Sequence, residues 1–331
     1  MTKQVVRSFG ICVAALALLA AAVVVSPQVT FAATLNTSVI GMFPKDVGEF
    51  GYADLKAARQ FAWYPQLREQ LLPSKFRQFE QFLTSAGVDP NSQVDELAWG
   101  AIDSKANGEQ VVGVALGSFD PSGSETRFKQ QRLPMIDEHG YHLYAFGSGS
   151  APGDILFTFI DSNTAAFGHR KALEQLIDVR TGGAESLFTN DQIFPLINEA
   201  NGNGVVWGVF DKEYSHIVMQ QLIPQAGQFP QAAAMINRIK AMMFTAKADS
   251  GVEADFQAQC ASSDDANLLS AAIQAGLMYR RYQESQSQPD LAGALDRVQV
   301  SSAGDRLKVD APVSQDQLMG LIRSKALAVT M

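Results

Sequence analysis

Imidazoles and thiols are few in this chain, and their spacing limits the chemistry they could do. Histidine occurs at four positions, His139, His142, His169 and His216, and cysteine at two, Cys12 and Cys260. His139 and His142 stand three apart in His139-Gly140-Tyr141-His142, a strand-like context that sends the two side chains to opposite faces. A zinc site would need further ligands, and no neighbouring residues supply a recognisable spacing, so no metal is expected. Cys260 closes the alternating run Ala254-Asp255-Phe256-Gln257-Ala258-Gln259-Cys260 and shares its face with Phe256 and Ala258, which reads as a small buried hydrophobe.

Catalytic signatures are missing. Gly147-Ser148-Gly149-Ser150-Ala151 lacks the last glycine of a nucleophile elbow and lies between two strands, where that motif needs a strand-to-helix turn. There is no phosphate loop, dinucleotide fingerprint, zinc-protease helix or calcium loop, so neither a catalytic residue nor a cofactor is expected. The acidic pairs Asp95-Glu96 and Asp264-Asp265 read as solvated neighbours. The candidate binding residues are aromatic: Trp63 and Tyr64, in Phe61-Ala62-Trp63-Tyr64-Pro65 between a strand and a helix, could anchor a partner. Trp99 and Trp207 fall inside strands and are expected in the core.

These residues are carried by a chain of 331 residues with net charge −8, 47% hydrophobic and 18% charged, which is a folded globular composition without the basic surface a nucleic-acid binder relies on. Lys3 and Arg7, the apolar run Ile11 to Val25, and Thr30-Phe31-Ala32 form the three parts of a secretory signal peptide over residues 1–32, cut after Ala32. The run is shorter than the roughly 20 residues of a spanning helix. The alternative is a leader retained as an inner-membrane anchor over residues 9–25. Cleavage would remove Lys3 and Arg7 and leave a mature charge of −10, with Cys260 as the one remaining thiol and no internal disulfide. The expected location is periplasmic or secreted.

Residues 33–45 read as a linker. A strand at Glu49 to Asp54 is followed by a helix in which Phe76, Phe79, Phe82 and Leu83 recur at helical spacing, then by a hairpin of Glu96 to Asp103 and Gln110 to Phe119. A short helix after Ser122, strands at Tyr141 to Phe146 and Asp154 to Asp161, and a helix from Arg170 to Val179 complete a first lobe, 46–203. The order returns in a second lobe, 204–331: Phe50-Gly51-Tyr52-Ala53-Asp54 is echoed by Trp207-Gly208-Val209-Phe210-Asp211, Leu97 to Asp103 by Met243 to Asp249, Gln110 to Asp120 by Gly251 to Ala261, and Gly153 to Phe157 by Gly304 to Lys308. A long helix over Asp264 to Gln286 has Leu268, Leu269, Ala272, Ile273, Gly276 and Leu277 as its apolar stripe, with Arg280-Arg281 complementing the helix dipole near its end. The expected fold is α+β, two related lobes, each an antiparallel sheet with helices on one face: a split βαβ, ferredoxin-like unit with an added strand and helix.

Phe43-Pro44-Lys45-Asp46-Val47 before Tyr52-Ala53-Asp54-Leu55, Gly87-Val88-Asp89-Pro90 before Asp95-Glu96-Leu97, and Gly117-Ser118-Phe119-Asp120 together resemble uncharacterised exported proteins of environmental bacteria, classed as domains of unknown function. The resemblance covers most of the mature chain and implies export and an α+β fold. Its signatures are turn and strand punctuation and transfer no active site. The expected function is a non-catalytic binding, scaffolding or envelope-associated module whose partner is a protein or envelope component, with no nucleic acid and membrane contact only through an uncleaved leader. The alternative is a secreted hydrolase with an acidic site between the lobes.

Overall fold

The computed structural model describes residues 34–323 apart from 62, 73, 86, 105–107, 152, 223–233, 249–250 and 287–288; the leader and the tip of the first hairpin lie outside the described residues. The first half runs α1 (Thr37–Ile40), β1 (Glu49–Asp54), α2 (Leu55–Ala58), α3 (Tyr64–Leu71), α4 (Ser74–Ser85), α5 (Pro90–Gln93), β2 (Val94–Ser104), β3 (Gly108–Gly117), α6 (Pro121–Gln130), β4 (Met135–Glu138), β5 (Tyr141–Phe146), β6 (Ile155–Phe159), β7 (Thr164–His169), α7 (Arg170–Thr181) and α8 (Phe194–Ala200). The second runs β8 (Val206–Phe210), α9 (Lys212–Leu222), β9 (Ile239–Ala248), β10 (Gly251–Cys260), α10 (Ser263–Glu284), α11 (Pro289–Leu295), β11 (Gln299–Ala303), β12 (Arg306–Ser314) and α12 (Gln315–Arg323).

The class is α+β with antiparallel pairing throughout, and the sheets of the two halves are joined. All twelve strands form one sheet in the order β11-β12-β10-β9-β8-β1-β2-β3-β7-β6-β5-β4. Outward from the β1–β8 seam the halves read β1-β2-β3-β7-β6 and β8-β9-β10-β12-β11, the same order, with the β5–β4 hairpin added to the first. The seam is antiparallel and centred on Gly51 paired with Gly208. A single row of partners crosses every strand: Val300, Val309, Phe256, Phe244, Gly208, Gly51, Trp99, Gly113, Phe167, Phe157, Tyr144 and Met135. Directly paired residues share a face, so the row fixes which side chains of each half correspond. At its centre the side-chain space of both glycines is filled by the ring of the next strand: a Cβ on Gly51 would lie 2.1 Å from the Trp99 indole, and one on Gly208 2.4 Å from the Phe244 ring. The strand-end aspartates also correspond, since Asp54 accepts the Ala57 N–H at 2.7 Å and Asp211 the Tyr214 N–H at 2.9 Å, each capping the helix that follows.

The row's face of the sheet is covered over most of its width, Met135 at the β4 edge being 46% exposed. Phe79 and Leu83 of α4 and Phe128 of α6 pack on the first half, with Phe157, Phe159 and Tyr144. Tyr214 and Val218 of α9, Leu269 of α10 and Leu318 of α12 pack on the second, with Phe244, Ala258 and Leu307. Over β10 to β12 of the second half, helices among the described residues lie on this face alone, whereas the other face of β8 and β9 is covered by α8 through Trp207, Val209, Ala241 and Met243. The first half is sandwiched, because Ala172, Leu173, Leu176 and Ile177 of α7, with α1 and α8, cover its other face over Val112, Val114, Leu143, Leu156 and Ala166. Residues 34–45, read from sequence as a linker, belong to that layer: Leu35, Val39, Ile40 and Phe43 recur at helix-like spacing and are buried. Leu35 is tied down further by its N–H, which donates to Asn201 Oδ1 at 2.9 Å.

Candidate functional site

The aromatic pair expected at a binding surface splits. Trp63 is 1% exposed, stacks on Phe61 with ring centroids 5.2 Å apart, and lies in the core with Leu67 and Tyr214. Trp63 is the cap residue of α3, whose second residue is Pro65, and the turn folds the indole inward where its apolar area is removed from water. Trp63 is thus not presented to a partner. Tyr64, the first residue of α3, is half-buried, with its hydroxyl pushed above the usual phenol range by desolvation. Trp99 and Trp207 are core residues, as the strand pattern implied, and Cys260 is buried with its thiol raised by desolvation.

Exposed apolar surface is instead concentrated on α10. Its N-terminus is fixed by Ser262, whose Oγ accepts the Asp265 N–H at 3.2 Å, and its buried residues are Ala266, Leu269 and Ser270, all in the first half of its 22 residues. Beyond them the helix, about 33 Å long at 1.5 Å per residue, presents Met278 (66% exposed), Tyr279 (65%) and Tyr282 (82%), with Leu268 (58%) earlier on its outer side. The stripe read from sequence holds at Leu269 and fails at Leu268, Ala272 and Gly276, which face solvent. Arg280 pairs with Glu284 at 3.0 Å and Arg281 with Asp296, so both cations near the helix end are held by local carboxylates.

A second feature is polar. On the covered outer face of the first half, α7 sends Lys171, Glu174, Gln175 and Asp178 along one stripe over the ends of β2 and β3, where they line a cleft of about 390 Å³ with Asp46, Asp103 and Gln110. Four of these residues are acids. The cleft's lining residues all belong to the first half, whereas the acidic site expected from sequence was one between the lobes.

One end of this cleft reaches the β4–β5 hairpin. His139 Nε2 lies 3.1 Å from Asp178 Oδ1 and 3.5 Å from Glu138 Oε1. His142 serves a different pair, with Nδ1 3.1 Å from Glu125 Oε2 and Nε2 3.8 Å from Asp137 Oδ2. The structure thus separates the two hairpin histidines and gives each its own carboxylates. His169 is buried and its Nδ1 accepts the Val111 N–H at 3.0 Å.

Inside the sheet, Glu49 is 1% exposed; its Oε1 accepts the Trp99 indole N–H at 3.1 Å, whereas Oε2 is buried without a partner among the described residues. Burial, then the nearby Glu109, hold this carboxyl well above the usual carboxylate range. A carboxyl kept neutral can act as a general acid where it meets a substrate, but Glu49 does not line the acidic cleft.

No protein-family model matches the chain, and no curated protein matches it. Among solved structures it is similar to TP0453 in crystal form I, at 11% identity and a TM-score of 0.48, over 88% of this chain and 97% of that one.

Proposed function

We propose that the protein is an exported, non-catalytic binding module that engages a protein partner through the outer side of α10. The observation that carries this reading is the exposure of Met278, Tyr279 and Tyr282 on consecutive turns that no other element among the described residues covers. Tyr, Met and Arg are the residue types enriched at protein interfaces, and a helix face bearing all three supplies anchors of large contact area at low entropic cost. Leaving such side chains in water forgoes roughly 1.5–3 kcal/mol each relative to burial, which is the driving force a partner would recover. Export rests on the leader pattern of residues 1–32.

Two measurements test this. A photo-crosslinking residue placed at Tyr282 is expected to capture one reproducible envelope or extracytoplasmic protein, and the double variant Met278→Asp/Tyr282→Asp to lose that partner while keeping its circular dichroism spectrum. Capture of nothing reproducible, or a partner indifferent to the double variant, would remove the reading. N-terminal sequencing of the mature product is expected to begin at Ala33.

A further inference from the structure

We propose that Glu138, His139 and Asp178 form a three-ligand site for a zinc-class divalent cation, which would fasten the β4–β5 hairpin to α7. The three offer one imidazole nitrogen and two carboxylate oxygens, all within 4.8 Å of one another. They come from two separate elements, the end of β4 with its turn and the last turns of α7, so the grouping is a product of tertiary packing.

The separations admit a metal as well as a hydrogen bond. Zinc bonds to nitrogen and oxygen of about 2.0–2.1 Å put tetrahedral ligands about 3.3 Å apart, and the His139 Nε2 distances of 3.1 Å and 3.5 Å bracket that edge. The remaining carboxylate–carboxylate edge is bounded only by 4.8 Å and would have to come to the same length by rotation of the Glu138 side chain, which is partly exposed. Without a cation, the Nε2 atom carries at most one hydrogen, which suits Asp178 at 3.1 Å and leaves the Glu138 oxygen at 3.5 Å outside a good hydrogen bond. A divalent ion replaces that single proton with a centre able to engage all three.

The surroundings suit the same assignment. Asp178 also lines the acidic cleft, whose open space admits the water that would complete a four-coordinate shell and whose Asp46, Asp103 and Glu174 add negative potential. The hairpin is already aligned on α7 by Arg180 Nε, which donates to Tyr141 Oη at 3.0 Å. The imidazole donor selects the zinc class over calcium and magnesium, which favour all-oxygen shells.

Titration calorimetry of the mature protein with zinc chloride near neutral pH tests the site. One equivalent is expected to bind. His139→Ala and Asp178→Asn are each expected to weaken binding about 100-fold or more, since even outer-shell losses cost 10- to 100-fold. His142→Ala, on the other side of the hairpin, is expected to bind as the parent does. Zinc should raise the melting temperature of the parent and of His142→Ala but not of His139→Ala, and calcium should raise none. Absence of binding, binding that survives both ligand substitutions, or equal loss in His142→Ala would overturn the assignment.

Discussion

The same five-strand arrangement occurs twice in this molecule, and its outward face is apolar over β3 and β7 of one copy and charged over β10 and β12 of the other. Val112, Val114 and Ala166 of the first half face α7; the partner row places Asp255, Gln257 and Lys308 at the matching positions of the second. There Lys308 Nζ lies 2.7 Å from both Asp255 and Asp310, and Arg306 reaches Glu199 at 2.6 Å. The divergence follows the closing helices: α7 crosses to this face after β7, whereas α12 turns to the opposite one after β12, where Leu318 joins the core. Shared strand order therefore does not dictate layer number. The side chains of one face decide whether a helix can stay there.

The comparison can be broken most sharply at α7. Leu176 is fully buried, and Leu176→Ala should cost about 4 kcal/mol of unfolding free energy in a denaturant titration; a loss under about 1 kcal/mol would show that the helix is dispensable cover. The seam should respond symmetrically. Gly51→Ala and Gly208→Ala each push a methyl into an aromatic ring and should cost about 2 kcal/mol, and a clear inequality between them would mean that the halves are not packed alike.

Glu49 and Val206 occupy matching places on β1 and β8, which sharpens the contrast by pH. Because the folded-state value of Glu49 is raised by burial, its protonated form favours folding; this contribution is full below the unfolded value of about 4.3 and is lost as pH rises through the folded one. Glu49→Gln should keep the acceptor for Trp99, flatten the fall in stability with rising pH and make the protein more stable than the parent at pH 8, as read by melting temperature. An unchanged pH slope would place the effect elsewhere. The smallest change belongs to the bare face: Lys308, itself half-exposed, should cost under about 1 kcal/mol as Lys308→Ala.

Much of the architecture was legible because it is written in local pattern. The helix at Arg170, the long helix from Asp264, the first hairpin and the echo of Phe50–Asp54 in Trp207–Asp211 all appear where periodicity and caps put them, and the echo has the right register, Gly51 on Gly208. Later echoes slip. Leu97–Asp103 against Met243–Asp249 sets Trp99 against Thr245, one residue from its structural counterpart Phe244; Gln110–Asp120 against Gly251–Ala261 is displaced by two. Gly153–Phe157 was matched to Gly304–Lys308, whereas β12 occupies the place of β7. A shift of two keeps the face of an alternating strand and so passes unnoticed, whereas the one-residue slip at Trp99 reverses the face and is an error of pattern. The candidate sites were harder to see. Trp63 has the composition of an anchor and the position of a core residue. Met278, Tyr279 and Tyr282 lie outside the apolar stripe read for their helix, and their spacing alone does not show that nothing covers them. Asp178 stands 39 residues from His139, beyond any spacing rule.

The pairing of Gly51 with Gly208 carries a consequence for origin. An antiparallel seam centred on equivalent residues is the contact that two identical subunits make about a twofold axis. A single-copy ancestor would have had the β1 edge open and could have closed it against another molecule of itself, with every backbone group along it satisfied by the duplicate. Within one chain such a contact does not depend on concentration, and the two halves differ at β10 and β12, where charge stands in place of the apolar cover that α7 meets.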